Sequence, residues 1–215
     1  HLLTSSTQRH VAHYCSRHLN VPSVDLIGPT VMRLTDLLNV YPENKPGLFH
    51  QINEDYFRRI EAIEFAVAHD DGLRPYELHQ AEVILTGVSR TSKTPLCMYM
   101  GSRGWLAANV PLVLGAEPPH ELFAVDARKV IALTIRPERL SLLRHARLTR
   151  LGMSAAADYA DLGHVREELR YAQTIFARGG WTVLDVTSKS IEESANEIIQ
   201  ILREQAERPP ARSNG

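Results

Sequence analysis

The stretch AEVILTGVSRTSKTPLCMYM, residues 81–100, decides the fold of this 215-residue chain. It opens with an apolar, β-branched run at 81–86 that predicts a buried strand, and after Pro95 it continues with a run that predicts a helix. Between them lie Gly87 and the pair Lys93-Thr94, at nearly the spacing of a phosphate-binding P-loop. Because strand, glycine turn and helix follow in the order that such a loop needs, we predict a P-loop here.

The residues of this loop suit a phosphate for physical reasons. Backbone N–H groups at a helix start attract an anion, Lys93 adds a point charge, and the Thr94 hydroxyl is a ligand for Mg²⁺. Ser92 departs from the usual pattern, which has glycine there, and its side chain narrows the approach to a phosphate. The alternative is an ordinary strand–turn–helix with a surface lysine. The predicted binding residues are Gly87, Val88, Ser89, Arg90, Thr91, Ser92, Lys93 and Thr94, with Thr94 as the metal ligand.

Composition limits the classes of function. A net charge of −1 and an isoelectric point near 6.9 do not favour nucleic acid as the main partner. No apolar stretch approaches the roughly 20 residues that cross a membrane. Cys15 and Cys97 lie far apart without a CxxC partner, which favours a reducing cytoplasm over a disulfide framework or a zinc site. His10 and His13 have helical spacing, but no further ligand completes a metal site.

From residue 81 onward, predicted strands and helices alternate regularly. Alternation of this kind indicates a parallel sheet flanked by helices, with ligands bound at the carboxyl ends of the strands. We therefore predict an α/β, P-loop kinase-like domain. The predicted strands are 83–87, 109–114, 130–135 and 182–186, and the predicted helices are 93–102, 137–151, 162–177 and 191–207.

The region before residue 80 reads as a partial α/β region. We expect a helix at 6–19, a strand at 24–27 and a helix that Asn53 caps and that ends before His69. The start, which lacks Met, indicates missing upstream sequence. The predicted domains are therefore 1–79, 80–207 and a disordered tail at 208–215.

Acidic residues near the loop are candidates for the group that takes a proton from a hydroxyl acceptor. Asp70 and Asp71 form the most suggestive pair because they stand at a turn just before the first strand, although Asp also favours turns by itself. Asp126 and Asp185 are weaker candidates. Arg90, inside the loop, suits either a phosphate contact or a surface salt bridge.

Two further segments have both a functional and a structural interpretation. Five arginines between residues 136 and 150 place a basic side on one helix, either as a lid over phosphates or as a solvated face. The segment 185–190 could border an adenine, while Ser190 with Glu193 also predicts a capping box.

The chain resembles the bacterial and plastid pyruvate, phosphate dikinase regulatory proteins. The matching stretches are EDYFRRIEAIEF at 54–65, HDDG at 69–72, GVSRTSKTPL at 87–96, ANVPLV at 108–113, LTI at 133–135 followed by Pro137, and DVT at 185–187. The resemblance covers nearly the whole chain. The family's Ser-Asp-Ser-Thr-Gly-type opening segment is absent, which again indicates missing upstream sequence.

This resemblance implies a bifunctional enzyme. Its members phosphorylate a threonine of the dikinase with ADP as donor, which inactivates the dikinase, and remove that phosphate with inorganic phosphate, releasing pyrophosphate. By position, the residues 87–94 would bind ADP with Mg²⁺, and Lys93, Arg90, Asp70 and Asp71 would carry the chemistry. The implied partner is the cytoplasmic dikinase, with neither nucleic acid nor membrane as a partner, and a homodimer is compatible.

Three alternatives stay open from the sequence. The sister branch regulates phosphoenolpyruvate synthetase by the same chemistry, although its loop tends to read Cys-Gly-Lys-Thr. A nucleotide-sensing module that binds a partner without transferring phosphate is consistent with Ser92. A small-metabolite kinase with an arginine lid would act on a small acceptor without a protein substrate.

Overall fold

The computed structural model describes residues 14, 16–19, 24–25, 28–41, 48–152 and 157–207. The chain divides into two compact units, residues 1–56 and 57–215. The domain boundaries predicted at 79/80 and 207/208 stay predictions, and the tail at 208–215 lies outside the described residues.

The first unit is helical wherever it has regular structure in the described part. Residues 14 and 16–19 are helical, but most of the predicted helix at 6–19 lies outside the described residues. Helix α1 follows at Gly28–Leu38 and buries none of its side chains. Of the predicted strand at 24–27, residues 24 and 25 have no regular structure and the other two are not described.

Helix α2, Leu48–Ala68, runs from the first unit into the second. It begins five residues before Asn53, so the prediction that Asn53 caps this helix is wrong. Its end is as predicted: a 3₁₀ turn at Asp70–Gly72 follows, and a second one covers Pro75–Gln80. Near its end, Ala62 and Ala66 are buried.

A four-stranded parallel sheet forms the centre of the second unit, as predicted. Its order is β2-β1-β3-β4, and each neighbouring pair runs parallel. All five residues of β1 are buried, because the strand has neighbours on both edges and helices pack on the sheet. The strands are β1 Val83–Gly87, β2 Ala107–Pro111, β3 Val130–Thr134 and β4 Thr182–Asp185.

Strand β2 begins and ends earlier than the predicted 109–114. Ala107 and Ala108 are fully buried, and the Cys97 thiol donates to the Ala108 carbonyl oxygen at 3.4 Å, so small side chains let a helix lie close. Val113, by contrast, is mostly exposed. The predicted range 109–114 therefore overlaps only the last three residues of β2, Asn109 to Pro111.

The helices of the second unit agree closely with the prediction. Three have the predicted bounds, and the helix predicted at 162–177 runs on to Gly179, where Gly180 ends it with a left-handed φ of 63°. They are α3 Lys93–Ser102, α4 Glu121–Ala124, α5 Pro137–Leu151, α6 Ala157–Ala160, α7 Leu162–Gly179 and α8 Ile191–Glu207.

Capping explains where two of these helices begin. The Asp161 side chain accepts from the His164 backbone N–H at the start of α7. At the start of α8, the Ser190 hydroxyl accepts from the Glu193 N–H while the Glu193 carboxylate accepts from the Ser190 N–H. The predicted capping box is thus confirmed.

The core lies between the sheet and the helices that cover it. Helix α3 packs against α8 and β2, and α5 packs against α7. Each fully buried Leu or Ile side chain contributes about 1.5–3 kcal/mol relative to an exposed one. This core fixes the carboxyl ends of β1 and β2, where the candidate site lies; its fully buried members include Leu85, Leu96, Ile131, Leu140 and Ile198.

Candidate functional site

The 87–94 loop joins β1 to α3 and makes a tight turn over the end of β3. Gly87 has a φ of 149°, and a Cβ added there would lie 2.6 Å from the Leu133 carbonyl oxygen. Only glycine fits this approach without a backbone shift. Further along, the Thr91 hydroxyl is buried and donates to the Val88 carbonyl oxygen at 3.0 Å, so the loop is bonded to itself.

Two loop residues other than glycine have a left-handed backbone. Arg90 has a φ of 72° and Ser92 a φ of 65°, while Thr91 between them does not have a positive φ. Alternating hands of this kind turn successive N–H groups toward one side, which is the geometry of an anion-binding nest. The usual glycine at the Ser92 position relieves strain of roughly 1–2 kcal/mol that serine retains.

Lys93 is the first residue of α3 and is buried, with 6% of its surface exposed. Its ammonium donates to the Val88 carbonyl oxygen at 2.8 Å. Burial lowers the pKa of Lys93 to about 8; the nearby Asp71, Cys97 and Asp70 act in the opposite direction, and Arg144 reinforces the decrease. Lys93 is therefore a desolvated donor whose charged form a nearby anion would stabilise.

Asp70, which was predicted from its position before β1, lies beside Thr94. The Thr94 hydroxyl donates to Asp70 Oδ1 at 2.9 Å. Asn109, in β2, donates through Nδ2 to the same Asp70 oxygen and to Thr94 Oγ1 at 3.2 Å. We call these three residues the Asp70–Thr94–Asn109 cluster, and it brings the acid-bearing turn to the start of α3.

Asn109 is the residue of this cluster that sequence reasoning missed. It is 1% exposed, and its Oδ1 is buried without a hydrogen-bond partner among the described residues. The available signal was a single amide in the otherwise apolar run at 107–113, because a buried polar group needs a partner. It is the middle residue of β2, and its side chain reaches the Asp70 carboxylate and the Thr94 hydroxyl.

The cluster fits a Mg²⁺ ion better than a protein-only metal cage. Within the described ranges, no three His, Cys, Asp or Glu side chains gather so that they could hold a metal. Mg²⁺ is usually bound through one or two carboxylates together with phosphates and water. The Asp70 carboxylate and the Thr94 hydroxyl are the oxygen atoms that such an ion would find here, because Asn109 turns its Nδ2 and not its Oδ1 toward them.

The remaining predicted site residues have open side chains. Asp71 is exposed, has a left-handed φ of 50° and makes no side-chain hydrogen bond or ion pair in the described part of the chain. Arg90 is also exposed and has no such bond to a described residue, so the surface salt bridge considered for it is not formed there.

The two weaker acidic candidates lie elsewhere. Asp126 pairs with Arg128 just before β3 begins. It therefore lies at the amino-terminal ends of the strands, whereas the 87–94 loop follows the carboxyl end of β1. Asp185 ends β4, two strands away from β1, and accepts from the Thr187 N–H and hydroxyl.

The arginines of α5 do not form the predicted single basic side, because Arg144 faces inward. It is fully buried and forms a two-pronged pair with Glu168, at 3.0 and 2.5 Å. It also donates to the Tyr159 carbonyl oxygen at 2.9 Å and to the Ser89 carbonyl oxygen at 3.3 Å. Arg144 thus ties α5, α6 and α7 to the 87–94 loop, whereas the exposed members are Arg136, Arg139, Arg147 and Arg150.

Comparison with known proteins decides the family. The family model described as kinase/pyrophosphorylase matches residues 1–199. This chain belongs to the kinase/pyrophosphorylase family.

Relatives in this family share nearly half of their aligned residues with the chain. A protein of Shouchella clausii strain KSM-K16 is 48% identical over 83% of the chain and 66% of its own length. A Geobacter sulfurreducens protein is 48% identical over 84% and 67%, and a Chloroflexus aurantiacus strain J-10-fl protein 44% over 94% and 72%. All three are provisionally named pyruvate, phosphate dikinase regulatory proteins, and the chain spans about two thirds of the length of the first of these.

In this chain the 87–94 loop, the acid-bearing turn and Asn109 lie together, joined by hydrogen bonds among Asp70, Thr94 and Asn109.

None of the helices in the described part is both long enough and apolar enough to cross a membrane. The Cys97 thiol is free and buried, and burial raises its pKa, so it is a packing residue and not a nucleophile.

Proposed function

We propose that this protein phosphorylates a threonine of pyruvate, phosphate dikinase with ADP as the donor and removes that phosphate with inorganic phosphate. The kinase/pyrophosphorylase family and the names of the relatives support a dikinase regulator. The observation that carries the chemistry is the position of Lys93, Thr94 and Asp70 together at the end of β1. A cytoplasmic location belongs to the same proposal, because the protein has to share a compartment with the dikinase.

One phosphate position serves both reactions in this proposal. In the forward reaction, the threonine oxygen forms a bond to the β-phosphorus of ADP, the bond to the bridging oxygen breaks, and AMP leaves with the electron pair. In the second reaction, an oxygen of inorganic phosphate attacks the phosphothreonine phosphorus, the bond from phosphorus to the threonine oxygen breaks, and pyrophosphate and the free hydroxyl form. Both place a phosphoryl group with developing negative charge between the same protein groups.

The protein groups supply position and charge. The N–H groups of the 87–94 loop and the start of α3 surround the β-phosphate, Lys93 approaches it as a cation, and exposed Arg90 closes over it. Asp70, which Thr94 contacts, and the neighbouring Asp71 are the carboxylates proposed to take the threonine proton. A Mg²⁺ ion, when bound, would neutralise phosphate charge; Thr94 and Asp70 are the residues that would hold it, and Asn109 is hydrogen-bonded to both.

The test is transfer of label from β-³²P-ADP to dikinase whose catalytic histidine is already phosphorylated, with Mg²⁺ and without ATP. We expect label on a dikinase threonine, and release of labelled pyrophosphate when inorganic phosphate is then added. Lys93→Ala should lose both activities, whereas Arg166→Ala, a change at an exposed arginine paired with Glu138, should lose neither.

Three results would contradict the proposal in different ways. Binding of ADP without transfer of label would favour a nucleotide-sensing module. Label on phosphoenolpyruvate synthetase and not on the dikinase would mean that the sister target is correct. A Lys93→Ala variant that loses only one activity would show that the two reactions use separate phosphate positions.

A further inference from the structure

The two adjacent carboxylates beside the 87–94 loop have different surroundings. Asp70 Oδ1 accepts from the Thr94 hydroxyl and from Asn109 Nδ2. Asp71, one residue later, has no side-chain hydrogen bond or ion pair to any described residue and is exposed. The chain therefore holds one carboxylate in place and leaves its neighbour open.

Asn109 is the residue that makes this difference. Its backbone N–H donates to the His69 carbonyl oxygen at 3.1 Å, and its side chain binds Asp70, so it holds the acid-bearing turn twice. The strand fixes Asn109, because β2 pairs with β1 with Leu85 opposite this residue. The amide places Nδ2 toward the oxygens of Asp70 and Thr94, since the reverse orientation would put Oδ1 against a carboxylate.

The hydrogen bonds of Thr94 decide what its hydroxyl can do. A hydroxyl has one hydrogen and two lone pairs. Thr94 gives its hydrogen to Asp70, and one lone pair accepts from Asn109 Nδ2 at 3.2 Å. The lone pair that remains is an acceptor, which suits a cation and cannot donate to a phosphate.

Asp71 directly follows the residue that Thr94 and Asn109 hold, and it is close enough to Lys93 to act on that side chain. Among the groups that act on the ammonium of Lys93 to favour its charged form, Asp71 has the largest effect. Its backbone has a left-handed φ of 50°, a conformation that costs a non-glycine residue about 1–3 kcal/mol and that is common at functional positions. The turn thus holds an exposed carboxylate close to Lys93 at a cost in stability.

We propose that Asn109 is a positioning residue that commits Asp70 to the Thr94 hydroxyl and leaves Asp71 as the carboxylate that receives the acceptor proton. This division rests on the proposed kinase function. In the forward reaction the threonine O–H bond breaks, its proton passes to an Asp71 oxygen, and its electron pair forms the bond to the β-phosphorus as AMP leaves. Asp70 stays bonded to Thr94 throughout and orients the cation ligand.

The test separates cation binding from phosphoryl transfer. The dissociation constant of ADP is measured calorimetrically with Mn²⁺ and with EDTA. The value in EDTA divided by the value in Mn²⁺ reports how strongly the protein couples cation binding to nucleotide binding. Asn109→Leu and Asp70→Asn should each reduce this ratio about tenfold to a hundredfold, as expected for loss of a hydrogen bond to a charged group. Asp71→Asn should keep the ratio and reduce label transfer about a hundredfold or more, within the usual range for a lost acid–base group.

A combined variant distinguishes positioning from a general loss of structure. If Asn109 acts through Asp70, Asn109→Leu with Asp70→Asn should reduce the ratio no further than either change alone. Thr86→Val, a change at a buried polar residue of the neighbouring strand β1, is the matched control and should leave the ratio unchanged. Circular dichroism checks folding, and Asn109→Ala replaces Asn109→Leu if the larger side chain prevents it.

Two results would overturn the inference. A folded Asn109→Leu protein with the wild-type ratio would show that Asn109 does not position the cation ligand. An Asp71→Asn protein with wild-type transfer would show that Asp71 does not receive the proton. If the wild-type protein transfers no label while Asn109→Leu still reduces the ratio, the proposed function and the role of Asp71 fail, and the role of Asn109 stands.

Discussion

Replacement of Arg144 by methionine tests whether the helices α5 to α7 are anchored on the 87–94 loop. The side chain is fully buried, and methionine keeps much of its length and its packing while removing the guanidinium. The change leaves the Glu168 carboxylate, which is 14% exposed, without its two-pronged partner. It also removes the two N–H groups that donate separately to the Tyr159 and Ser89 carbonyl oxygens.

The expected cost follows from these contacts. Breaking a buried ion pair by removing one partner destabilises a protein by about 3–5 kcal/mol, because a charge is left buried and unpaired. That is a large part of the roughly 5–15 kcal/mol by which a domain is stable. For a unit of this size each kcal/mol lowers Tm by about 2–4 °C, so we expect Tm to decrease by roughly 6–20 °C.

The assay is thermal unfolding followed by circular dichroism, with Arg147→Met as the matched control on the same helix. Arg147 is exposed and makes no ion pair within the described ranges, so its replacement should change stability by less than about 0.5 kcal/mol. Adding Glu168→Leu to Arg144→Met should recover part of the loss, because no charge then stays unpaired. Equal Tm values for Arg144→Met and Arg147→Met would refute the anchoring role.

Three further predictions concern the 87–94 loop. Because the pKa of Lys93 is lowered to about 8 in the free protein, ADP binding near pH 8 should take up protons, and its affinity should decrease as the pH rises above 8. Calorimetry in two buffers of different ionisation enthalpy measures this proton uptake, and its absence would contradict the prediction. Gly87→Ala should lower Tm by far more than Gly115→Ala, whose added Cβ meets nothing within 4 Å, because the added Cβ at residue 87 lies 2.6 Å from a carbonyl oxygen. Ser92→Gly should raise the free energy of unfolding by up to about 1 kcal/mol, because the relief of the left-handed backbone is partly offset by the entropy that glycine loses on folding; an unchanged urea midpoint would argue against strain there.

The parallel sheet and its main helices could be predicted because their signals are local. The run at 81–86 is apolar throughout, as a strand buried on both faces must be, and the helices at Pro137 and Ile191 begin at local start signals. The positions of Asp70 and Thr94 before and after β1 also follow from the order of elements. Their direct hydrogen bond does not, because it depends on how the 3₁₀ turn folds back over the strand end.

Two features required contacts that are distant in sequence. The inward orientation of Arg144 depends on Glu168, which lies 24 residues later in another helix, so helical spacing alone suggested a common side with its neighbours. Asn109 matters because of what β2 brings it against, and nothing near it in the sequence names Asp70 as the partner. The departure at Ser92, by contrast, was visible in the sequence itself, and its left-handed φ explains why glycine is usual at that position.

The place of β2 in the sheet has a consequence for the order in which the site comes apart. Within the described sheet, β2 pairs with β1 alone, whereas β1 has a strand on each side. Edge elements open at lower free energy than central ones, and their amide hydrogens exchange first. The turn that carries Asp70 is bonded to this edge strand through Asn109, while the 87–94 loop continues from the central strand. As denaturant increases, the acid-bearing turn should therefore separate before the 87–94 loop opens. Under the proposed function, nucleotide binding should then persist to a higher denaturant concentration than phosphoryl transfer.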